Sequence, residues 1–191
     1  FLFSIVTDDS FVMIDKMMVS HSKLQFREAN LQDVDRIWEI ILQAKAQMFR
    51  EKKQQWDENY PLPDHITADI EKGFGYVLTQ DEVIIAYGAV VFDGEPAYNE
   101  LEGEWLSGQP YVVVHRLAVA DEAKRHGIAT QFMQNVINLS VGKGIMSFKV
   151  DTNFDNFYML KIFEKMGFTY CGKILYAQGE RMAFEKLLGK K

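Results

Sequence analysis

The apolar positions along the chain change period in an order that predicts the elements. Leu24-Gln25-Phe26-Arg27 alternates and predicts a short first strand. Asn30 then offers an N-cap, and Leu31, Val34, Ile37, Trp38, Ile41 and Leu42 recur at helical spacing, so an amphipathic helix with Trp38 in the core is expected to pack on a sheet. From Lys45 to Tyr60 the pattern turns polar, and Pro61 and Pro63 mark a loop that blocks a helix. Asp64 is placed to cap a second short helix through Ile66 and Ile70 to Lys72, closed by Gly73. Residues 75–79, 83–92 and 111–119 read as three strands, the first two joined by a turn at Gln80-Asp81-Glu82. After a glycine-containing turn, Ile128, Phe132, Val136 and Leu139 form the apolar stripe of a helix that ends in Gly142 to Gly144. Residues 145–150 predict a strand, 156–166 a helix stopped at Gly167, and 168–174 and 182–187 two closing strands. A meander followed by strand, helix, strand implies an α/β (α+β) fold: a mixed, mostly antiparallel twisted sheet of six to seven strands flanked by about four helices.

With 191 residues, 48% of them hydrophobic and 25% charged, the chain has the size and composition of one domain that buries a core. The net charge of −6 argues against a nucleic-acid or anionic-membrane partner, both of which select basic surfaces, and suits a cationic one. The single cysteine, Cys171, permits no intrachain disulfide and reads as a small core thiol. The four histidines are not spaced with it as a zinc site, so no metal is expected. No apolar run approaches the roughly 20 residues of a membrane span, and the first residues lack the basic flank and cleavage site of a signal peptide, so a cytoplasmic location is expected.

The candidate chemistry begins at the turn Lys124-Arg125-His126-Gly127-Ile128-Ala129, which hands a strand ending in Leu117-Ala118-Val119 to a helix N-terminus. First-turn N–H groups have no partner within a helix and the dipole favours negative charge there, so the turn is expected to hold a phosphate. Gly127 lets the backbone come close to a ligand oxygen, and Lys124 and Arg125 add charge. The glycines of the nucleotide-hydrolase loop GxxxxGK[ST] and of the dinucleotide motif GxGxxG are absent. A basic residue, two residues, Gly, one residue and Ala resembles instead the acyl-CoA-binding motif (Q/R)xxGx(G/A) of the GNAT superfamily of N-acyltransferases, with Lys124 in place of Gln or Arg. A second match lies in that family's order: Asn156 at a helix start, then Ile162-Phe163-Glu164-Lys165-Met166-Gly167-Phe168. The resemblance covers roughly residues 24–188. It divides the chain into an N-terminal extension, 1–22, and a GNAT domain, 23–191. The extension matches nothing in the pattern, Met17 or Met18 offers an alternative start after most of it, and its apolar runs leave a homodimer open.

The resemblance implies transfer of an acetyl group from acetyl-CoA to a primary amine, with a small amine the expected acceptor, and it implies a sheet that parts between its fourth and fifth strands to admit pantetheine. It assigns the pantetheine contacts to Leu117, Ala118 and Val119, the pyrophosphate to Lys124, Arg125, His126, Gly127, Ile128, Ala129 and Thr130, and a further pantetheine contact to Asn156. His115 stands near where the family often has a base, and an imidazole, titrating near 6.5 in isolation, suits proton removal at neutrality; a hydrogen-bonded core histidine is the other reading. Phe163 occupies the position where the family often has a tyrosine that protonates the departing thiolate. Either Tyr158, one turn earlier at a spacing of five and expected on nearly the same helix face, replaces it, or solvent or the acceptor's own ammonium supplies the proton. Trp56 and Tyr60 are expected to wall the acceptor pocket or to anchor their loop. The acidic run Asp93, Glu95, Glu100, Glu102 and Glu104 is expected either to be a solvated loop or to attract the amine, with Glu104 as a substrate-binding residue. A non-catalytic acyl-CoA sensor and a protein or peptide N-acetyltransferase stay open beside the small-molecule enzyme.

Overall fold

The computed structural model describes residues 23–53, 55–177 and 179–189. The extension expected at 1–22 lies outside the described residues. Eight strands form one sheet: β1 (Leu24–Glu28), β2 (Gly75–Gln80), β3 (Val83–Val91), β4 (Glu102–Gly103), β5 (Val112–Val119), β6 (Ser147–Thr152), β7 (Thr169–Tyr176) and β8 (Gly179–Leu187), in the order β1-β2-β3-β5-β6-β8-β7-β4. All neighbours run antiparallel except β5 and β6. Four helices accompany them: α1 (Val34–Arg50), α2 (Pro63–Glu71), α3 (Ile128–Gly142) and α4 (Phe157–Lys165). The expected mixed, mostly antiparallel sheet is present with one strand more than foreseen, because β4 is a two-residue edge pairing with Lys173 and Gly172 that leaves no periodic trace in sequence.

Local chemistry accounts for most of the boundaries. Asn30 accepts from Gln32 N–H at 2.9 Å and Asp33 from Asn30 N–H at 2.8 Å, a capping box that opens a 3-10 turn leading into α1. Pro63 does not block α2 but starts it, since the first helical position has no N–H to satisfy. The main core joins Ile37, Ile40 and Ile41 of α1, the β2 and β3 interior and Phe132, Met133 and Val136 of α3. A second cluster, Val91, Val113, Ile174 and Ala183 with Tyr98, is roofed by the 93–111 segment. Of the acidic run, Asp93, Glu100, Glu102 and Glu104 are exposed as a solvated loop would have them and Glu95 alone is half-buried, while the segment is anchored by buried Tyr98, whose C=O accepts from Trp105 Nε1 at 3.0 Å. Cys171 is buried, and burial pushes its thiol up, away from the reactive thiolate. Among the described residues no helix is long and apolar enough to cross a membrane.

The pairing of β5 positions everything that follows. It pairs with β6 only at Val112↔Phe148 and Val113↔Lys149, while on its other side it pairs with β3 out to Val119↔Ala86. Between Ala89↔His115 and Tyr87↔Ala118, three steps on β5 oppose two on β3, so β5 carries a bulge at Arg116–Leu117, with Arg116 at φ 57°. A positive φ at a non-glycine residue is strained and needs support. Asp69 supplies it: Arg116 Nε donates to Oδ2 at 2.9 Å and Nη2 to Oδ1 at 2.5 Å, while Nη1 donates to Tyr60 Oη at 2.8 Å. The bulge turns β5 away from β6, and from Val114 onward its β6-facing edge has no partner strand.

Candidate active site

A cavity of about 550 Å³ opens where β5 and β6 part. Its wall is built from the end of β5 (His115, Arg116, Leu117), the end of β6 (Asp151, Thr152), α4 (Met159, Phe163) with its N-cap Asn156, the 55–60 loop (Trp56, Tyr60) and the roofing segment (Glu95), with Tyr176 and Arg181 from β7 and β8.

His115 and Glu95 form a dyad in this wall, Nε2 to Oε2 at 3.0 Å. An ionised carboxylate only accepts, so the imidazole Nε2 carries a proton, and in the neutral ring the basic lone pair is on Nδ1. The His115 imidazole holds the Glu95 carboxyl below the usual range, against the upward push of burial, and Ala97 N–H adds a donor at 3.2 Å. Asp151 sits nearby in the opposite regime. Burial pushes its carboxyl up, although the charges of His115 and Arg181 and the Tyr98 hydroxyl, donating to Oδ1 at 2.7 Å, pull it down. Tyr176 donates to the same oxygen at 3.4 Å, and burial beside that carboxylate raises both phenols, which therefore stay protonated donors.

The raised Asp151 carboxyl has a consequence for stability. A folded-state pKa above the unfolded one means that stability falls as the pH rises from the unfolded value through the folded one and the full cost stands above it, a cost absent where both states are protonated. Asp151→Asn keeps an acceptor for both phenols and removes the charge. The variant should therefore melt above wild type at neutral pH, with the gap closing as the pH falls toward the ordinary carboxyl range. Thermal unfolding across that range checks this; a gap independent of pH contradicts it.

Of the residues singled out in sequence, the cavity brings together His115, Leu117, Asn156, Trp56 and Tyr60. Ala118 is buried and Val119 partly so, both paired with β3. Asn156 caps α4, accepting from Met159 N–H at 3.4 Å. The basic turn lies outside the cavity wall, at the N-terminus of α3. There Gly127 is the cap residue at φ 73° with open space where a Cβ would stand, and the helical ladder begins with Gln131 N–H to Gly127 C=O at 2.9 Å. The preceding N–H groups of Gly127 to Thr130 emerge at the helix end. Arg125 and His126 are exposed, and Lys124 is held by Gln47 at 2.6 Å and by Asp121.

Two of these residues lie elsewhere. Tyr158 is exposed, its ring under the Lys53 ammonium at 4.7 Å, and it does not line the cavity, whereas Phe163 is buried and does. Five residues along a helix advance about 500°, roughly 140° past a full turn, so the two do not share a face. Glu104 is also exposed, its N–H bonded to Cys171 C=O at 2.9 Å, and the acid that reaches the cavity is Glu95. Arg116, Asp69, Asp151, Tyr176 and Arg181 escaped the sequence reading. Among the described residues no cluster of three or more His, Cys, Asp or Glu side chains could hold a metal ion.

The comparisons agree with this architecture. The family model of the acetyltransferase (GNAT) family matches residues 38–168. A GNAT-family acetyltransferase from Streptococcus agalactiae 2603 is 32% identical over 87% of this chain and 96% of its own, with a TM-score of 0.80. A Staphylococcus aureus Mu50 protein is 27% identical over 86% of this chain and 99% of its own, at TM-score 0.66. A Salmonella typhimurium protein solved with acetyl-CoA shares the fold at 14% identity and TM-score 0.63, over 88% of this chain and 95% of its own. No curated protein matches the sequence. The chain belongs to the GNAT acetyltransferase family.

Proposed function

We propose that the chain transfers an acetyl group from acetyl-CoA to the primary amine of a small acceptor, with His115 as the base. The observation that carries this is the parted β5–β6 edge: one cavity presents an unpaired strand edge, the capping Asn156 and an imidazole oriented by a carboxylate. In this reading Leu117 to Val119 hold pantetheine through the free edge of β5, and an N–H there polarises the acyl oxygen. The N–H groups of Gly127 to Thr130, with Lys124 and Arg125, hold the pyrophosphate. Trp56 and Tyr60 wall the acceptor side.

The proton inventory follows from the residues present. The acceptor's ammonium gives one proton to His115 Nδ1, and the free amine attacks the thioester carbon. The C–N bond forms, the C–S bond breaks, and the second proton the nitrogen sheds goes to the thiolate. Phe163 has no proton to give, so no side chain at that position supplies it.

A thiol-release assay over a panel of primary amines tests the proposal; acceptor-dependent release is expected with at least one of them. Tight acetyl-CoA binding with no acceptor-dependent release from any amine would favour a sensor that binds without turnover, the reading that Phe163 supports.

A further inference from the structure

Arg181 is buried in the cavity wall with no carboxylate in salt-bridge contact among the described residues, the Tyr176 ring lying 5.9 Å from its Cζ. It is 7% exposed, yet among the described residues it makes no ion pair, whereas Arg116, the other guanidinium of the wall, is neutralised by Asp69. Arg181 Nη1 donates to Asn153 Oδ1 at 2.8 Å and, more distantly, to Glu180 C=O at 3.4 Å. Of the nearby acids, Glu180 pairs with Lys173 Nζ at 2.7 Å, and Asp151, whose Oδ1 takes the hydroxyls of Tyr98 and Tyr176, makes no hydrogen bond to Arg181 among the described residues. A guanidinium has five N–H donors in a fixed fork, and those on Nε and Nη2 have no protein acceptor among the described residues. They are not sealed in the interior either, since among the described residues the only buried side-chain atom without a partner is Asp155 Oδ1. A residue this buried that still leaves donors accessible presents them to the cavity it lines.

Burying an unpaired charge is costly, and a ligand anion removes the cost. A planar fork matches a carboxylate in two-point geometry. Elsewhere on the same wall the Glu95–His115 dyad suits an ammonium. We propose that the acceptor is an amino-acid-like zwitterion whose carboxylate is held by Arg181 and whose ammonium lies at His115 and Glu95. This rests on the acetyl-transfer reading for the role of the ammonium. A carboxylate on the acyl group of the donor is the other source of the same anion.

The test titrates the coenzyme A complex by calorimetry with each of the twenty L-amino acids and with their carboxamides, for wild type, Arg181→Met and Arg181→Lys, and runs thiol release alongside. At least one amino acid should bind at least tenfold more tightly than its amide. Arg181→Met should weaken that amino acid roughly 10- to 100-fold and leave its amide and the coenzyme unchanged, while Arg181→Lys, which keeps charge but not the fork, should fall between. Amides that bind wild type as well as the acids do, or a variant that loses acid and amide equally, overturn the inference. An Arg181-dependent preference for succinyl-CoA over acetyl-CoA with uncharged amines overturns it too, by giving the anion to the donor. Amino-acid binding without thiol release sinks the transfer reading and keeps this one; thiol release from uncharged amines alone does the reverse.

Discussion

His115→Gln should leave the acetyl-CoA dissociation constant nearly unchanged and lower turnover by roughly 10²–10⁴-fold, the usual contribution of a positioned base. Glutamine can still donate to Glu95, so the wall keeps its hydrogen bond, but it cannot accept the ammonium's proton. The acidic limb of the pH–rate profile should vanish with it. Glu95 does not supply that limb. The Glu95 carboxyl is depressed in the folded state, so its stabilising contact is fully present above the ordinary carboxyl range and is lost only as the pH falls through that depressed value, well below neutrality. If His115 merely fills the wall, the same variant melts lower and the folded fraction keeps near-normal activity. Both readings come from one purified protein.

Gly127→Val should weaken acetyl-CoA binding by roughly 10²–10⁴-fold, the loss of about two charge-assisted contacts between backbone N–H groups and phosphate. Beyond the adjoining backbone no atom lies within 4 Å of the Cβ position, so an added Cβ meets open space in front of the helix end. The backbone at φ 73° adds a separate cost of about 1–2 kcal/mol for an L-residue, which should lower the melting temperature without unfolding the domain. Gly127→Ala separates the two effects: it carries the backbone strain with a single methyl, so its affinity loss should be smaller than that of valine. Calorimetry with unchanged affinity for the valine variant removes the phosphate assignment.

The elements legible in sequence were those with a sustained period or a local cap. Asn30, Gly127 and Asn156 act through neighbours within a few residues, so their roles follow from the chain itself. The dyad does not follow in that way. Five acids share the 93–104 run with no alternation to say which one turns inward, and Glu95 is selected by the roofing of the sheet, with Pro96 starting the 3-10 turn it caps. Arg116 left a weak trace: His115-Arg116 interrupts an otherwise apolar strand with two consecutive polar residues, which is how a bulge reads. Asp69 left another, standing three residues after Ile66 on the buried stripe of α2. Arg181 left none, because its meaning depends on which side chains stand near it in space, where among the described residues none forms an ion pair with it. Tyr158 stands five residues before Phe163, a spacing that turns it about 140° off that face and out to the surface, and Glu104 follows the short edge strand into solvent.

The measurement that tests the account most directly is a crystal structure of the protein grown with acetyl-CoA. The account predicts pantetheine between β5 and β6, its amides bonded to the free edge of β5 near Leu117 to Val119, the pyrophosphate at the N–H groups of Gly127 to Thr130, and the thioester carbon within reach of an amine placed at His115 Nδ1. Coenzyme bound away from the parted strands, or a thioester on the far side of the cavity from the Glu95–His115 dyad, would contradict it.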